Sequence, residues 1–148
     1  MQTLNQIQIQ APIGDVYGAA ERIVDWPRLL PHYRWVTVFS ETGKKRDVEM
    51  AAWRSGFPCV WQSDQVLYPK EKKVYYLHTR AFWTKGMQVW WILKARGPRL
   101  TEITLTHDMP PTAVPLLGWF RQHIVGELFV MNIAERTLAG LKRHLEQP

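Results

Sequence analysis

A single cysteine, Cys59, occurs among the 148 residues, and the chain has no long apolar run. One cysteine excludes an intramolecular disulfide and the cysteine-rich zinc patterns. No stretch approaches the length that spans a membrane, and the N-terminus lacks the basic and apolar segments of a secretory signal. We therefore expect a soluble protein in a reducing, cytoplasmic setting.

Several motifs of nucleotide, serine and metal chemistry are also missing. The nine glycines form neither a phosphate-binding loop nor a G-x-S-x-G turn. The five histidines show none of the short spacings that are typical of metal ligands. The sequence thus predicts no cofactor and no metal site, and it argues against nucleotide-dependent and serine-hydrolase chemistry.

The charge balance permits several kinds of partner. The net charge is +6 and the sequence pI is about 9.7. Basic residues cluster at positions 44–46, 70–73, 96–99 and 142–143, and most of these positions are predicted turns. The clusters are either solvated hairpin tips or a docking patch for an acidic carrier protein or an anionic membrane surface. Nucleic acid is not an expected partner, because the aromatic residues follow the alternation of buried positions.

Hydrophobic periodicity predicts one α+β domain over residues 1–148. With 46% hydrophobic residues, the chain can fill one core. Apolar and polar residues alternate over 4–10, and two short helices are predicted at 13–23 and 25–30. Alternation then returns in six segments separated by turn residues, at 33–41, 46–55, 59–68, 73–83, 86–95 and 100–109.

The last part of the chain predicts one long helix, from residue 115 or 118 to 146. Its apolar residues recur at three- and four-residue spacing, namely Phe120, Ile124, Leu128, Met131, Ala134, Leu138, Leu141 and Leu145. A seven-stranded sheet with one apolar face needs a cover, and this helix supplies it. A curved antiparallel sheet wrapped around one helix does not close fully, so a cavity is expected between them.

The eight tryptophans are the most informative residues for this cavity. We expect Trp53, Trp61 and Trp91 in its walls and Trp26 at its rim, because large aromatic side chains contribute most to such surfaces. The alternative is a tryptophan-filled core without a cavity. For the second strand, the alternation leaves open which of two faces lines the cavity, Trp35/Phe39 or Val36/Val38.

Polar residues on the same inferred inward faces are candidates to orient a ligand. Ser63 and Gln65 share a strand face with Trp61, and Tyr76 shares one with His78. The ordinary pKa of a histidine lies near working pH, so His78 suits general acid–base chemistry. The alternative for His78 is a hydrogen-bonded histidine with a structural role.

The seventh predicted strand contributes one further histidine. His107 and Asp108 point to opposite faces, and His107 follows Ile103 and Leu105 toward the cavity. His123, near the start of the long helix, lies either at the entrance or on a solvated rim.

The chain resembles the START-like, birch-pollen-allergen-like (SRPBCC) superfamily over residues 4–146, in the branch of polyketide cyclase/dehydrases and coenzyme Q-binding proteins. The segments that carry the likeness are Ile9-Gln10-Ala11-Pro12 with Asp15-Val16-Tyr17, Asp25-Trp26-Pro27 with Pro31, Val60-Trp61-Gln62-Ser63, Met87-Gln88-Val89-Trp90-Trp91, and Thr104-Leu105-Thr106-His107-Asp108-Met109. The resemblance implies the helix-grip fold. It also implies that a lipid, quinone, polyketide or other apolar, ring-containing molecule binds between sheet and helix, with ring closure or dehydration in some members.

One position departs from the pattern of the aromatase/cyclases in this superfamily. Their fourth strand often carries W-x-S-x-R, in which the arginine holds a polyketide oxygen, whereas Gln65 stands at that position here. A glutamine offers no fixed positive charge. Ligand binding without chemistry is therefore the preferred hypothesis. The alternative is a polyketide cyclase or dehydrase that uses Tyr76, His78, Ser63 and Gln65.

The predicted ligand-binding set combines the aromatic, polar and helical candidates. It comprises Trp26, Trp53, Trp61, Ser63, Gln65, Tyr76, His78, Met87, Trp91, Leu105, His107, Phe120, Ile124 and Leu128.

Overall fold

The computed structural model describes residues 2–54 and 56–147, and within them seven strands form one antiparallel sheet. The strands are β1 (Gln2–Ile9), β2 (Tyr33–Thr42), β3 (Lys45–Arg54), β4 (Phe57–Tyr68), β5 (Lys73–Ala81), β6 (Gln88–Gly97) and β7 (Leu100–Asp108). Their order in the sheet is β1-β7-β6-β5-β4-β3-β2. Ser55, which the sequence placed at the end of the third strand, lies outside the described residues.

The sheet follows from the hairpins that the sequence predicted. Each strand from β2 to β6 pairs with the next one along the chain, as short turns between alternating segments require. The first strand pairs with the last, from Gln2 opposite Asp108 to Ile9 opposite Thr101. One face of the sheet is buried against the helices, so the predicted α+β architecture is confirmed.

Two short helices connect β1 to β2, as predicted. Helix α1 (Ile13–Glu21) begins after Pro12, a 3-10 turn spans Ile23–Asp25, and helix α2 (Trp26–Leu29) follows directly. Their buried side chains include Val16, Ile23 and Trp26, the last of which is only 1% exposed. Together these elements close one end of the space between the sheet and the C-terminal helix.

The register of β2 is set by an irregularity near its start. The pairing with β3 shifts between Tyr33 and Trp35, so the alternation does not run unbroken through this strand. Beyond the shift, Val36 and Val38 pack against the core, whereas Trp35 and Phe39 are exposed. The two valines therefore form the inward face, which resolves the alternative that the sequence left open.

The C-terminal helix is continuous and has three parts. These are α3 (Pro115–Phe120), a π-helical segment (Arg121–Val130) and α4 (Met131–Glu146). In α4, Gly140 lies so close to Leu30 that a Cβ atom on the glycine would collide with the leucine side chain. This close approach fixes the helix against the short α1–α2 layer.

The π-helical segment corrects the predicted apolar stripe. Backbone hydrogen bonds from residue i to i+5 widen each turn, so spacings of three and four residues no longer mark one face. Val125 and Val130 are buried there, whereas Leu128 is 43% exposed and Ile124 is half-buried. Ala134, Leu138 and Leu141 in α4 are buried as the stripe predicted.

No helix among the described residues combines the length and the apolar character needed to cross a membrane. The cytoplasmic setting stays a prediction.

Candidate functional site

A cavity of about 400 Å³ lies between the inward face of the sheet and the C-terminal helix. This volume falls within the usual range for small-molecule sites. Its walls come from β2 to β7, from α2 and from both the π-helical segment and α4. They comprise Trp26, Tyr33, Met50, Phe57, Pro58, Cys59, Val60, Trp61, Tyr76, His78, Ala81, Phe82, Trp83, Thr84, Met87, Val89, Trp91, Leu105, His107, Val125, Phe129, Val130, Ile133, Ala134 and Thr137.

A chain of ring contacts runs along the cavity wall. Trp26 lies 5.6 Å from Trp91 and 5.2 Å from Tyr33, measured between ring centroids. Tyr33 in turn lies 6.3 Å from Trp61, which is nearly parallel to His78 at 6.0 Å. The Trp26 indole N–H donates to the carbonyl of Ala19 at 3.0 Å, so this ring presents apolar surface to the cavity.

Strand register places a polar row on the inward face. Arg46 on β3 pairs with Gln65 on β4, which pairs with Tyr76 on β5. The Gln65 Nε2 donates to Tyr76 Oη at 3.0 Å, and Arg46 Nη1 donates to Gln65 Oε1 at 3.4 Å. Burial raises the pKa of Tyr76 far above its usual range, so its hydroxyl stays protonated. Tyr76 is the member of this row that lines the cavity.

Two histidines face the cavity in their neutral forms. Burial, with a smaller contribution from the neighbouring His107, lowers the pKa of His78 to about 3. Burial lowers the pKa of His107 to about 4. His78 Nδ1 shares a hydrogen bond with Thr84 Oγ1 at 2.8 Å, whereas His107 Nδ1 is buried without a hydrogen-bond partner among the described residues. His107 therefore has a polar atom that a ligand could satisfy.

A second polar group faces the cavity from the helix side. Thr137 on α4 donates to the carbonyl of Ile133 at 2.8 Å and lies 3.1 Å from His32 Nε2. The Tyr33 hydroxyl is 3.4 Å from the same Thr137 oxygen. Burial, with a further contribution from Arg136, lowers the pKa of His32 to about 4, so this cluster is also uncharged.

The cavity wall is electrically neutral. Among the described residues, no Asp, Glu, Lys or Arg side chain lines it. Burying an ionic group without a counter-charge is costly. The wall therefore favours an uncharged ligand with an apolar body and a few hydrogen-bonding groups.

Exposed aromatic residues mark the mouth of the cavity. Phe57 at the start of β4 and Phe82 after β5 are 61% and 86% exposed, although both border the cavity. Trp83 lies 4.9 Å from the Phe120 ring on α3, so the turn after β5 contacts the C-terminal helix. The mouth thus lies at these exposed rings, whereas Trp26 is buried.

The structure brings together eight of the residues predicted from the sequence. Trp26, Trp61, Tyr76, His78, Met87, Trp91, Leu105 and His107 all line the cavity. Their contact with a ligand stays a prediction. The prediction that Trp26 lies at the rim is wrong, because its ring is buried against Trp91 and Tyr33.

Trp53 is not a wall residue, which corrects the prediction. It lies on the outer face of β3, is 38% exposed and stacks under the Arg34 guanidinium at 4.3 Å. Glu49 shares this face and accepts a hydrogen bond from the Trp35 indole at 3.0 Å. The charged Glu49 at the same parity was the sequence signal for an outward face.

Five further predicted residues lie outside the cavity lining. Ile124 and Leu128 are displaced by the wider turns of the π-helical segment, and Val125 and Phe129 line the cavity in their place. Phe120 lies in α3, where its ring contacts Trp83. Gln65 lies behind Tyr76, which separates it from the cavity. Ser63 is fully buried opposite His78, and its hydroxyl has no hydrogen-bond partner among the described residues.

Other candidate groups from the sequence lie elsewhere. His123 is exposed, lies 3.2 Å from Glu127 Oε1 and contacts the Trp119 ring. Within residues 2–54 and 56–147, no three His, Cys, Asp or Glu side chains converge as metal ligands would. Tyr33, Thr84 and Thr137 line the cavity and were missed, since two of them lie in a turn or a helix where strand alternation gives no signal.

Comparison with known proteins gives a clear result for the fold. No family model and no curated protein matches the chain. Among solved structures, it is similar to the Zhui aromatase/cyclase from a Streptomyces species, with a TM-score of 0.85, 16% identity, and coverage of 99% of this chain and 93% of that one. A protein from Thermus thermophilus matches with a TM-score of 0.81, 19% identity, and coverage of 98% and 97%.

A third similar structure carries the superfamily name. It is a START superfamily protein from Mycobacterium smegmatis, with a TM-score of 0.75, 14% identity, and coverage of 99% and 97%. At such identities the likeness shows the fold alone. The chain has a START-like helix-grip fold, similar to that of the Zhui aromatase/cyclase, which confirms the fold that the resemblance implied.

Proposed function

We propose that this protein binds an uncharged, largely apolar, ring-containing small molecule in the cavity between the sheet and the C-terminal helix. The observation that carries the proposal is the neutral aromatic wall formed by Trp26, Tyr33, Trp61 and Trp91. Flat rings pack well against such a wall, because offset and edge-on ring pairs add to the energy of apolar burial.

The polar groups of the cavity narrow the ligand class. Tyr76, His78 and His107 present neutral donors and acceptors on the sheet side of a largely apolar space. A polyketide or a quinone has carbonyl groups that suit them. A fatty acid would bring a carboxylate for which the described wall holds no cation. We therefore favour a ketone- or quinone-bearing molecule over a charged lipid.

Tryptophan fluorescence tests this proposal. We expect menadione, a neutral quinone, to quench the emission with saturable binding, because Trp26, Trp61 and Trp91 border the cavity. We expect palmitate at neutral pH to bind at least about tenfold more weakly, since its carboxylate must shed water without gaining a counter-charge. The proposal is wrong if neither menadione nor a panel of other aromatic ketones is taken up, or if palmitate binds more tightly.

A second candidate function is acid–base catalysis on a poly-ketone, as in a cyclase or dehydrase. The observation that favours it is the pair of cavity histidines, because a neutral imidazole can accept a proton from a carbon acid. The lowered pKa values of His78 and His107 make them weak bases, which counts against the idea. Turnover of a poly-ketone thioester that disappears in both His78→Gln and His107→Gln would favour catalysis, and absence of turnover in the wild type would exclude it for that substrate.

The basic turns keep both of their interpretations. Lys45 pairs with Asp64 at 3.4 Å, Arg96 with Glu102 at 2.9 Å and Lys142 with Glu146 at 2.8 Å, so part of the positive charge is locally balanced. Docking on an acidic carrier protein or an anionic membrane surface stays a prediction, which binding to acidic vesicles in low salt would test.

A further inference from the structure

The geometry points to Gln65 as a positioning residue: together with Arg46, it orients the Tyr76 hydroxyl so that its hydrogen is directed at a carbonyl oxygen of the bound ligand. This inference rests on the proposed function and names the ligand group that the polar side of the cavity recognises. It concerns three residues on neighbouring strands, of which only Tyr76 lines the cavity.

The first step concerns the amide of Gln65. A guanidinium only donates hydrogen bonds, so the amide atom that faces Arg46 must be the oxygen. Arg46 Nη1 lies 3.4 Å from Gln65 Oε1, and the same nitrogen donates to the carbonyl of Glu21 at 3.2 Å. Glu41 lies 3.4 Å from Arg46 Nε, and the arginine side chain is only 18% exposed. The arginine is thus held from several sides, and it fixes which way the amide points.

The second step concerns the hydroxyl of Tyr76. Because the Gln65 oxygen faces Arg46, its NH₂ group faces Tyr76, and Nε2 donates to Oη at 3.0 Å. The Tyr76 oxygen is therefore an acceptor in this bond, and its own hydrogen must point elsewhere. Gln65 is fully buried, Tyr76 is 4% exposed and Tyr76 borders the cavity, so the cavity is the direction left for this hydrogen.

The chemical consequence is a directional donor in a neutral wall. A ketone or quinone oxygen is an acceptor only, so it matches a donor and does not match a lone pair. The positive charge of Arg46 acts through the amide and makes Tyr76 a better donor, because successive hydrogen bonds polarise one another. The arginine stays out of the cavity itself, which keeps the site suited to an uncharged ligand.

The substitution Gln65→Glu tests the orientation while Tyr76 remains in place. A carboxylate only accepts hydrogen bonds, so it would accept one from Arg46 and a second from the Tyr76 hydroxyl. The hydrogen of Tyr76 would then turn away from the cavity. We expect this variant to bind menadione about three- to tenfold more weakly, as expected for the loss of one neutral hydrogen bond. Methylnaphthalene, which has the same rings and no carbonyl, should bind with unchanged affinity.

The substitution Tyr76→Phe provides the matched control. It removes the hydroxyl and should weaken menadione binding by the same factor, again without effect on methylnaphthalene. The double variant should lose no more than either single variant, because both changes remove one and the same donor. Infrared spectra of bound menadione supply an independent measurement, in which the wild type lowers the C=O stretching frequency relative to hexane and both variants restore it.

The outcomes separate this inference from the proposed function. If both probes bind and Gln65→Glu leaves their affinity ratio unchanged, or if the wild type leaves the C=O band unshifted, the assignment of Gln65 and Tyr76 is overturned while the ligand site stands. If neither probe binds the wild type, the proposed function fails for this ligand class and the inference fails with it.

Discussion

The Trp61 and His78 rings lie nearly parallel across the neighbouring strands β4 and β5, with centroids 6.0 Å apart and an interplanar angle of 15°. Trp61 covers one side of the imidazole, and the Thr84 hydroxyl lies 2.8 Å from its Nδ1. This environment holds the ring neutral, because a buried imidazolium would lose its hydration without gaining a counter-charge. The apolar wall and the lowered pKa of His78 therefore have the same cause.

We predict that mild acid destabilises the fold, because His78 and His107 are buried in their neutral forms. The folded-state pKa values of about 3 for His78 and about 4 for His107 lie below the unfolded value of 6.5. The unfolded state thus binds more protons than the folded state. The contribution of the two histidines to the free energy of unfolding is therefore fully present above about pH 6.5 and is lost as the pH falls toward their folded-state values. At pH 5 each histidine should lower the free energy of unfolding by about 2 kcal/mol relative to neutral pH.

Urea unfolding between pH 7.5 and pH 4.5 measures this effect. The variants His78→Gln and His107→Gln should each flatten the pH dependence of the unfolding free energy relative to the wild type. A slope equal to that of the wild type in both variants would show that the buried histidines do not control acid stability.

We predict that Trp61→Ala weakens binding of a neutral ring ligand by about tenfold or more, because the ligand loses a ring surface worth on the order of 1–3 kcal/mol. Trp53→Ala is the matched control, since Trp53 lies on the outer face under Arg34. Fluorescence-independent calorimetry should be used, because both variants remove an emitting residue. A larger loss of affinity in Trp53→Ala than in Trp61→Ala would mean that the ligand binds on the outer face of the sheet.

The π-helical segment makes a prediction about helix register. Phe129 lines the cavity and Leu128 is 43% exposed, although an α-helical stripe assigns these roles the other way round. Phe129→Ala should therefore reduce ligand affinity about tenfold, whereas Leu128→Ala should leave it within about twofold. The opposite ranking would mean that the segment is an ordinary α-helix.

The contact between Gly140 and Leu30 predicts a stability change away from the cavity. Gly140→Ala should destabilise the fold by about 1–3 kcal/mol, because the added methyl group collides with a fully buried leucine. Gly14→Ala is the control, as a Cβ atom there meets nothing within 4 Å and alanine favours a helix by up to about 1 kcal/mol. Chemical denaturation of both variants measures the difference, and a neutral Gly140→Ala would show that the helix packs less closely.

The fold was predictable because its signals are local and repeat. Alternation in six successive segments, with turn residues between them, leads to hairpins without knowledge of any long-range contact. The long apolar helix then has one open face to cover. Even the inward placement of Trp61, Tyr76 and His107 follows from the parity of their strands.

The errors arose where local geometry departs from a regular period. The wider turns of residues 121–130 rotate the helix stripe. A strand irregularity near Tyr33 sets the face of β2, which the sequence had left open. Trp53 was assigned by its size, although Glu49 at the same parity marked an outer face. Trp26 lies deep in the core because its ring packs against Trp91 on β6, a long-range contact that no local pattern encodes.

Native mass spectrometry of the purified protein, followed by organic extraction and identification of any released molecule, tests the central claim most directly. We predict a retained or readily added neutral ring compound with carbonyl groups, bound one per chain and lost or weakened in Trp61→Ala but kept in Trp53→Ala. A protein that stays ligand-free across quinones and aromatic ketones, or that retains only a charged lipid, would contradict the account.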